Sequence, residues 1–186
     1  GSVTKVGVYA FDRCLSLESI VIPDSMTSIE NGMLSGCSNL ASVTIPDSVT
    51  SIKNSAFYGC TKLTSIVIPD SVMTIENYAF ENCSSLASIV ISDNIKDLGW
   101  DVFRGTAFYN DESNWENGTL ILDGYLLELS KDTTHFMRRD IKCAALDAFD
   151  GCYKLKVLTI GGNCGRDYTF GLAALTNLET LIITKM

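Results

Sequence analysis

Residues 52–74 read IKNSAFYGCTKLTSIVIPDSVMT, and sliding this window by 23 residues in either direction nearly reproduces it. Cys14, Cys37, Cys60 and Cys83 stand 23 residues apart. Behind them Leu-x-x-(Ile/Val)-x-Ile-Pro-Asp recurs from Leu17, Leu40 and Leu63, and again from Leu86 with Ser in place of Pro. Each position in the unit has a mechanical role. Ile66 and Ile68 alternate with Ser65, Val67 and Pro69, which predicts a short strand with one face buried and the other open. Pro69-Asp70-Ser71 ends the strand, since proline has no backbone donor and Asp and Ser favour local turns. Ser71 to Ile75 reads as a second, brief extended piece. Asn54 or Ser55 then caps an expected one-turn helix carrying Ala56, Phe57 and Cys60. The helix exit is held by Gly36, Gly59, Gly105, Gly151 and Asn82, residues that tolerate positive φ. Arg13 occupies that position in the first repeat and is expected to be strained there.

A period in the range of roughly 20–29 residues with this hydrophobic order is the signature of a leucine-rich-repeat solenoid. The expected fold is therefore an α/β, right-handed leucine-rich-repeat solenoid, strand-rich with short helical turns. A single unit leaves both flanks wet and does not fold alone. Stacked at the strand spacing of about 4.8 Å, equivalent residues form columns: Ile29, Ile52 and Ile75; Phe11, Phe57, Phe80 and Phe103; Ile22, Ile45, Ile68 and Ile91. Stability then becomes a sum of neighbour contacts.

Composition bounds the rest. With 46% hydrophobic and 19% charged residues, the chain is a folded one. A net charge of −8 argues against a nucleic-acid partner, which needs clustered Lys and Arg. No apolar run is long enough to insert in a membrane, and no signal-peptide pattern is present. Gly1-Ser2 has the look of a cloning remnant. Of the seven cysteines, five (Cys14, Cys37, Cys60, Cys83 and Cys152) share one buried slot, and Cys164 falls where Val49 and Val72 fall. Side chains in a column point in parallel, which suits a disulfide poorly. The expectation is small buried hydrophobes. Zinc pairs of the Cys-x2–4-Cys kind are missing from the sequence.

The chain is expected to form one elongated domain, residues 1–186, with regular repeats over about 6–106 and 141–186. Residues 107–140 break the pattern. There NDESNWENG is polar and turn-like and leads into LILDGYLLEL, where Asp123-Gly124 between apolar runs predicts a hairpin. The period resumes in phase, since Ile141 follows Val72 by 69 residues and Cys152 follows Cys83 by 69, three periods. The hairpin is therefore expected inside the stack. A sixth repeat carries Phe149, Cys152, Leu155, Leu158 and Ile160, after which Gly161-Gly162-Asn163-Cys164-Gly165 replaces the Pro-Asp-Ser turn. A seventh carries Leu172, Leu175, Leu178, Leu181 and Ile183. Neither end shows a polar cap, so the chain is expected to be a slice of a longer array or to have its C-terminal strand edge covered by a partner.

The pattern Ile-x-Asn-x-Ala-Phe-x-Gly-Cys-x-x-Leu-x-Ser-Ile-x-Ile-Pro-Asp-Ser-Val-Thr resembles the BspA-like leucine-rich repeats. The resemblance is close over 29–97 and looser over 6–28 and 141–160. Phe103-Arg-Gly-Thr-Ala-Phe-Tyr-Asn110 followed by a hairpin is similar to that family's irregular repeat. The resemblance implies an extracellular protein, at the cell surface or secreted, mostly bacterial, that serves adhesion or protein binding. It brings no shared ligand, cofactor or catalytic motif.

Candidate sites are few. His135 is the sole histidine and lies in the irregular stretch without the context of a nucleophile, and Gly161–Gly165 lacks the spacing and lysine of a phosphate loop. Asp24, Asp47, Asp70 and Asp93 form a row that would welcome a cation. Aspartate is also an ordinary turn residue, and a calcium site needs six or more converging oxygens. No catalytic, cofactor or metal residue is therefore assigned. The open face of the sheet is the default solenoid binding surface. It should display Ser19, Ser42, Ser65 and Ser88, with Val21, Thr44, Val67, Val90, Thr159 and Ile182 beside them. This is a flat dock for an extended protein or another copy of the chain, or simply a row of good strand formers. Phe108, Tyr109, Trp115, Tyr125, Arg138 and Arg139 depart from the repeat; they are of the types enriched in binding hot spots, or they serve a structural role in bridging the insertion. The leading expectation is a non-catalytic surface or secreted protein-binding module. The alternative is a structural spacer or self-associating array.

Overall fold

The computed structural model describes residues 3, 5–161, 172 and 175–184. They fall into two compact units, Gly1–Ile95 with Gly99–Glu112, and Lys96–Leu98 with Ser113–Met186.

The first unit is built from β1 (Ser19–Val21), β2 (Ser28–Ile29), β3 (Ser42–Thr44), β4 (Ser51–Ile52), β5 (Ser65–Val67), β6 (Thr74–Ile75) and β7 (Ser88–Val90). Each coil supplies one three-residue and one two-residue strand. Pairing is parallel, and like residues face like: Ser19 with Ser42, Ser65 with Ser88, Ile29 with Ile52, and Ile52 with Ile75. The columns read from the sequence are present. Ile29, Ile52 and Ile75 are fully buried, as are Leu40, Leu63 and Leu86. The rings of Phe57 and Phe80 stack at 5.0 Å and 5°, and those of Phe80 and Phe103 at 5.5 Å and 13°.

The expected helical turns are absent from the described coils of the first unit. A helix returns each amide to a carbonyl four residues earlier. Here Ser55, Phe57 and Gly59 donate forward to Asn77, Ala79 and Glu81 of the next coil, at 3.0, 2.8 and 2.9 Å. The amides between them, Ala56, Tyr58 and Cys60, turn back three residues to Lys53, Ser55 and Phe57. The same alternation runs through Gly32–Cys37 and Tyr78–Cys83. Left-handed residues at both ends of the run make it possible: Ser55 has φ 55° and Gly59 φ 68°. Arg13 has φ 53°, the strained position expected of it. The molecule is thus strand-rich with very little helix. The irregular segment carries a short helix, α1 (Ala107–Asn110), followed by a 3-10 turn at Glu112–Asn114. Thr106 stands in the cysteine slot, is fully buried, and accepts the Tyr109 amide at 3.1 Å as the cap of α1.

The second unit contains β8 (Asp97–Leu98), β9 (Trp115–Glu116), β10 (Thr119–Leu122), β11 (Tyr125–Leu129), β12 (His135–Arg138), β13 (Cys143–Ala144), β14 (Val157–Gly161) and β15 (Thr180–Thr184). β10 and β11 form the hairpin expected around Asp123-Gly124, and both turn residues have positive φ. β11 then pairs in parallel with β13, Tyr125 opposite Cys143, so the hairpin is part of the stack and not tethered outside it. A second turn, at Asn117-Gly118, joins β9 to β10. β12, β14 and β15 pair in parallel, with Phe136, Leu158 and Leu181 in register. Leu158 is fully buried and Leu175 6% exposed, whereas Leu181 and Ile183 are 45% and 50% exposed. Cys164 and the turn from Gly162 to Gly165 lie outside the described residues.

Candidate interaction surface

The strands of the first unit present the row read from the sequence. Val21, Val67 and Val90 are 80%, 61% and 52% exposed, and Thr44 fills the same place on β3. Ser19, Ser42, Ser65 and Ser88 are exposed one step before them, while Ile66 and Ile89, between the two rows, point into the core. Strand alternation produces this division. Register pairing sets each exposed residue beside its counterpart on the next strand, Val21 with Thr44 and Val67 with Val90. In the second unit Met137, Thr159 and Ile182 hold equivalent register. Met137 and Ile182 are exposed, but Thr159 is only 5% exposed and does not belong to an open face as expected.

The irregular residues are not all exposed. Tyr109 belongs to the first unit; Trp115, Tyr125, Arg138 and Arg139 belong to the second. Tyr109 and Trp115 are half-buried and Arg139 is exposed. Tyr125 is fully buried, so it serves the interior and offers no surface; the Lys142 ammonium lies 5.6 Å from its ring centroid. Arg138 forks onto Asp140 with both contacts short, Nε to Oδ1 at 2.8 Å and Nη2 to Oδ2 at 2.7 Å. The guanidinium holds the Asp140 carboxyl down at about 2. It is in turn pushed up by the same hydrogen bond.

The cysteine column has a geometry the sequence could not show. Each thiol donates to a carbonyl of the preceding coil: Cys37 to Phe11 at 3.0 Å, Cys60 to Leu34 at 3.2 Å, Cys83 to Phe57 at 3.0 Å, and Cys152 to Leu129 at 3.3 Å. These thiols are free and buried. Burial pushes Cys37 and Cys152 up to about 11. A hydrogen bond with Cys83, together with burial, pushes Cys60 up. They are poor nucleophiles. Asp24, Asp47, Asp70 and Asp93 are all exposed, and among the described residues no three His, Cys, Asp or Glu side chains converge as a metal site. His135 is exposed, its Nδ1 3.0 Å from Thr134 Oγ1. No described helix is long and apolar enough to cross a membrane.

The model of the family described as BspA type Leucine rich repeat region matches residues 4–113, in 6 copies. No curated protein matches. Among solved structures, the T. pallidum Leucine Rich Repeat protein is 26% identical with a TM-score of 0.58, covering 82% of this chain and 72% of that one. A leucine rich cell surface protein from Faecalibacterium prausnitzii A2-165 is 19% identical with a TM-score of 0.46, over 95% of this chain and 62% of that one. A leucine-rich repeat protein from Bacteroides ovatus ATCC 8483 is 20% identical with a TM-score of 0.36, over 98% and 58%. The chain thus spans less than two thirds of the last two. The first of the three carries the likeness of fold.

Proposed function

The chain belongs to the BspA-type leucine-rich repeat family, and from that premise we propose a non-catalytic module for protein binding and adhesion. The partner it fits is an extended, uncharged segment of another protein, laid along the open strand row of the first unit. The observation that carries this reading is the line of exposed valines, Val21, Val67 and Val90. Strand propensity alone does not ask for them, because threonine forms strands as well and leaves no apolar surface wet; Thr44 shows that the position accepts it. Covering such surface returns about 25 cal/mol per Å². The neighbouring serines are short enough to let another backbone approach.

The setting in this proposal is extracellular, at the cell surface or after secretion. The buried free thiols of Cys37 and Cys152 are no obstacle, since a thiol held at about 11 in a core is scarcely ionised at neutral pH and resists oxidation and exchange.

The test uses immobilised matrix proteins and a triple variant, Val21→Lys, Val67→Lys and Val90→Lys. Binding should weaken by at least about tenfold, because desolvating an unpaired ammonium at each contact is costly. Tyr109→Ala, Trp115→Ala and Arg138→Ala together should bind as the parent does. The opposite pattern would move the docking surface to the irregular segment. No binding at all, with concentration-dependent self-association, would replace the adhesion reading with a self-associating spacer.

A further inference from the structure

In the second unit, the turn at Asn117-Gly118 and the loop leading into β12 border a shallow, open hollow of about 370 Å³. Its walls are Asn117, Ser130, Asp132, Thr133, Thr134 and His135, closed behind by the Ser130 amide donating to the Gly118 carbonyl at 2.6 Å. These residues bring three hydroxyls, an amide, a carboxylate and an imidazole to one place. None belongs to the repeat pattern, so the hollow is a product of the irregular segment.

The lining narrows what such a place holds. The exposed lining is apolar nearly as much as polar, so a wholly apolar side chain would cover part of it but leave the hydroxyls, amide and imidazole without partners. An anion meets a protein of net charge −8 and the Asp132 carboxylate. Asp132 is paired with the Lys154 ammonium at 2.6 Å, which favours its ionised form. A metal ion finds no three-ligand group among the described residues. What remains is a neutral ligand with a donor and an acceptor on nearly every atom, compact enough for a hollow of this size. We propose that the hollow binds one pyranose residue of a carbohydrate, its hydroxyls exchanging hydrogen bonds with Asn117, Thr133, Thr134, Asp132 and His135. The site is shallow and its hydrogen bonds each gain little over water, so the dissociation constant belongs in the range of about 1 mM.

The experiment titrates the isotopically labelled full chain with methyl α-mannopyranoside, methyl β-galactopyranoside and N-acetylglucosamine, each to about 100 mM, well above that constant. Saturable amide shifts are expected with at least one of them, confined to 117–119 and 130–135. Thr133→Val in the loop and His135→Ala at the start of β12 should each weaken the response about fivefold or more. Repeating the titration with the responding sugar as the terminal residue of a trisaccharide separates the sources. A retained response assigns the site to glycan ends, and a lost one assigns it to free sugar. Absence of saturable shifts with all three sugars, or equal shifts in parent and variants, overturns the proposal. The Val→Lys triple variant should leave this response intact, so the two binding readings stand or fall separately.

Discussion

Arg13, Gly36 and Gly59 occupy one slot in three successive coils, with φ of 53°, 68° and 68°. An L-residue in this left-handed region costs about 1–2 kcal/mol, which glycine avoids. Arg13→Gly should therefore stabilise the protein by about 1 kcal/mol, read as a higher urea midpoint with unchanged slope. Gly59→Ala should cost about the same, because the nearest atom to an added Cβ is the Gly36 Cα at 3.9 Å and only the backbone conformation resists. Gly99→Ala is a different case. Its Cβ would meet the Asn77 nitrogen at 2.5 Å and the Glu76 carbonyl carbon at 2.6 Å, both backbone, so the coil must shift at a cost of about 3 kcal/mol. A second residue-scale outcome concerns the thiols. Cys37 and Cys152 are raised from 9.0 to about 11 in the fold. Each favours the folded state fully below pH 9, and that contribution is lost as pH rises from 9 towards 11. Denaturation midpoints should fall across this window. At pH 8, Cys37, Cys60, Cys83 and Cys152 should resist alkylation until the protein is unfolded.

Among the elements, α1 depends on Thr106, whose hydroxyl accepts from the Tyr109 amide and donates to the Phe103 carbonyl at 2.7 Å. Thr106→Val keeps the shape and removes both bonds, and should cost about 1–2 kcal/mol in chemical denaturation. The strands were legible in the sequence, since alternation at Ile66 and Ile68 and the 23-residue spacing dictate both faces and register. The turn run was misread as helix. Over six residues a helical turn and a run of turns bury the same side chains, and they differ only in where the amides go, which no side-chain pattern encodes. β12 was missed because His135 pairs with Val157, 22 residues on, so a search at 23 passes over it. Asn117-Gly118 carried a recognisable hairpin signal, hidden by its place in a polar run. Tyr125 looked like a surface anchor by residue type alone; only the pairing of β11 with β13 places it inside.

For the molecule as a whole, stability spreads over contacts between neighbouring coils. Phe80 stacks on a ring at either side, and Phe80→Ala should cost about 3–5 kcal/mol by removing both contacts at once. Hydrogen exchange should show the consequence as a gradient in the first unit. The Leu34, Phe57 and Phe80 amides, each donated into a neighbouring coil at 2.8–2.9 Å, should be the slowest to exchange. The equivalent Phe11 amide, in a first coil that leaves Val8 and Leu15 more than half exposed, should exchange faster.

The forward-donated amides of Ser55, Phe57 and Gly59 also determine how the first unit meets mechanical load. Because a coil is held to its neighbour more than to itself, tension on the chain peels coils away one after another instead of stretching each in place. Every coil released pays out its 23 residues, about 80 Å of slack, and a chain anchored at one end and gripped at the other would yield to a tug in steps of that length.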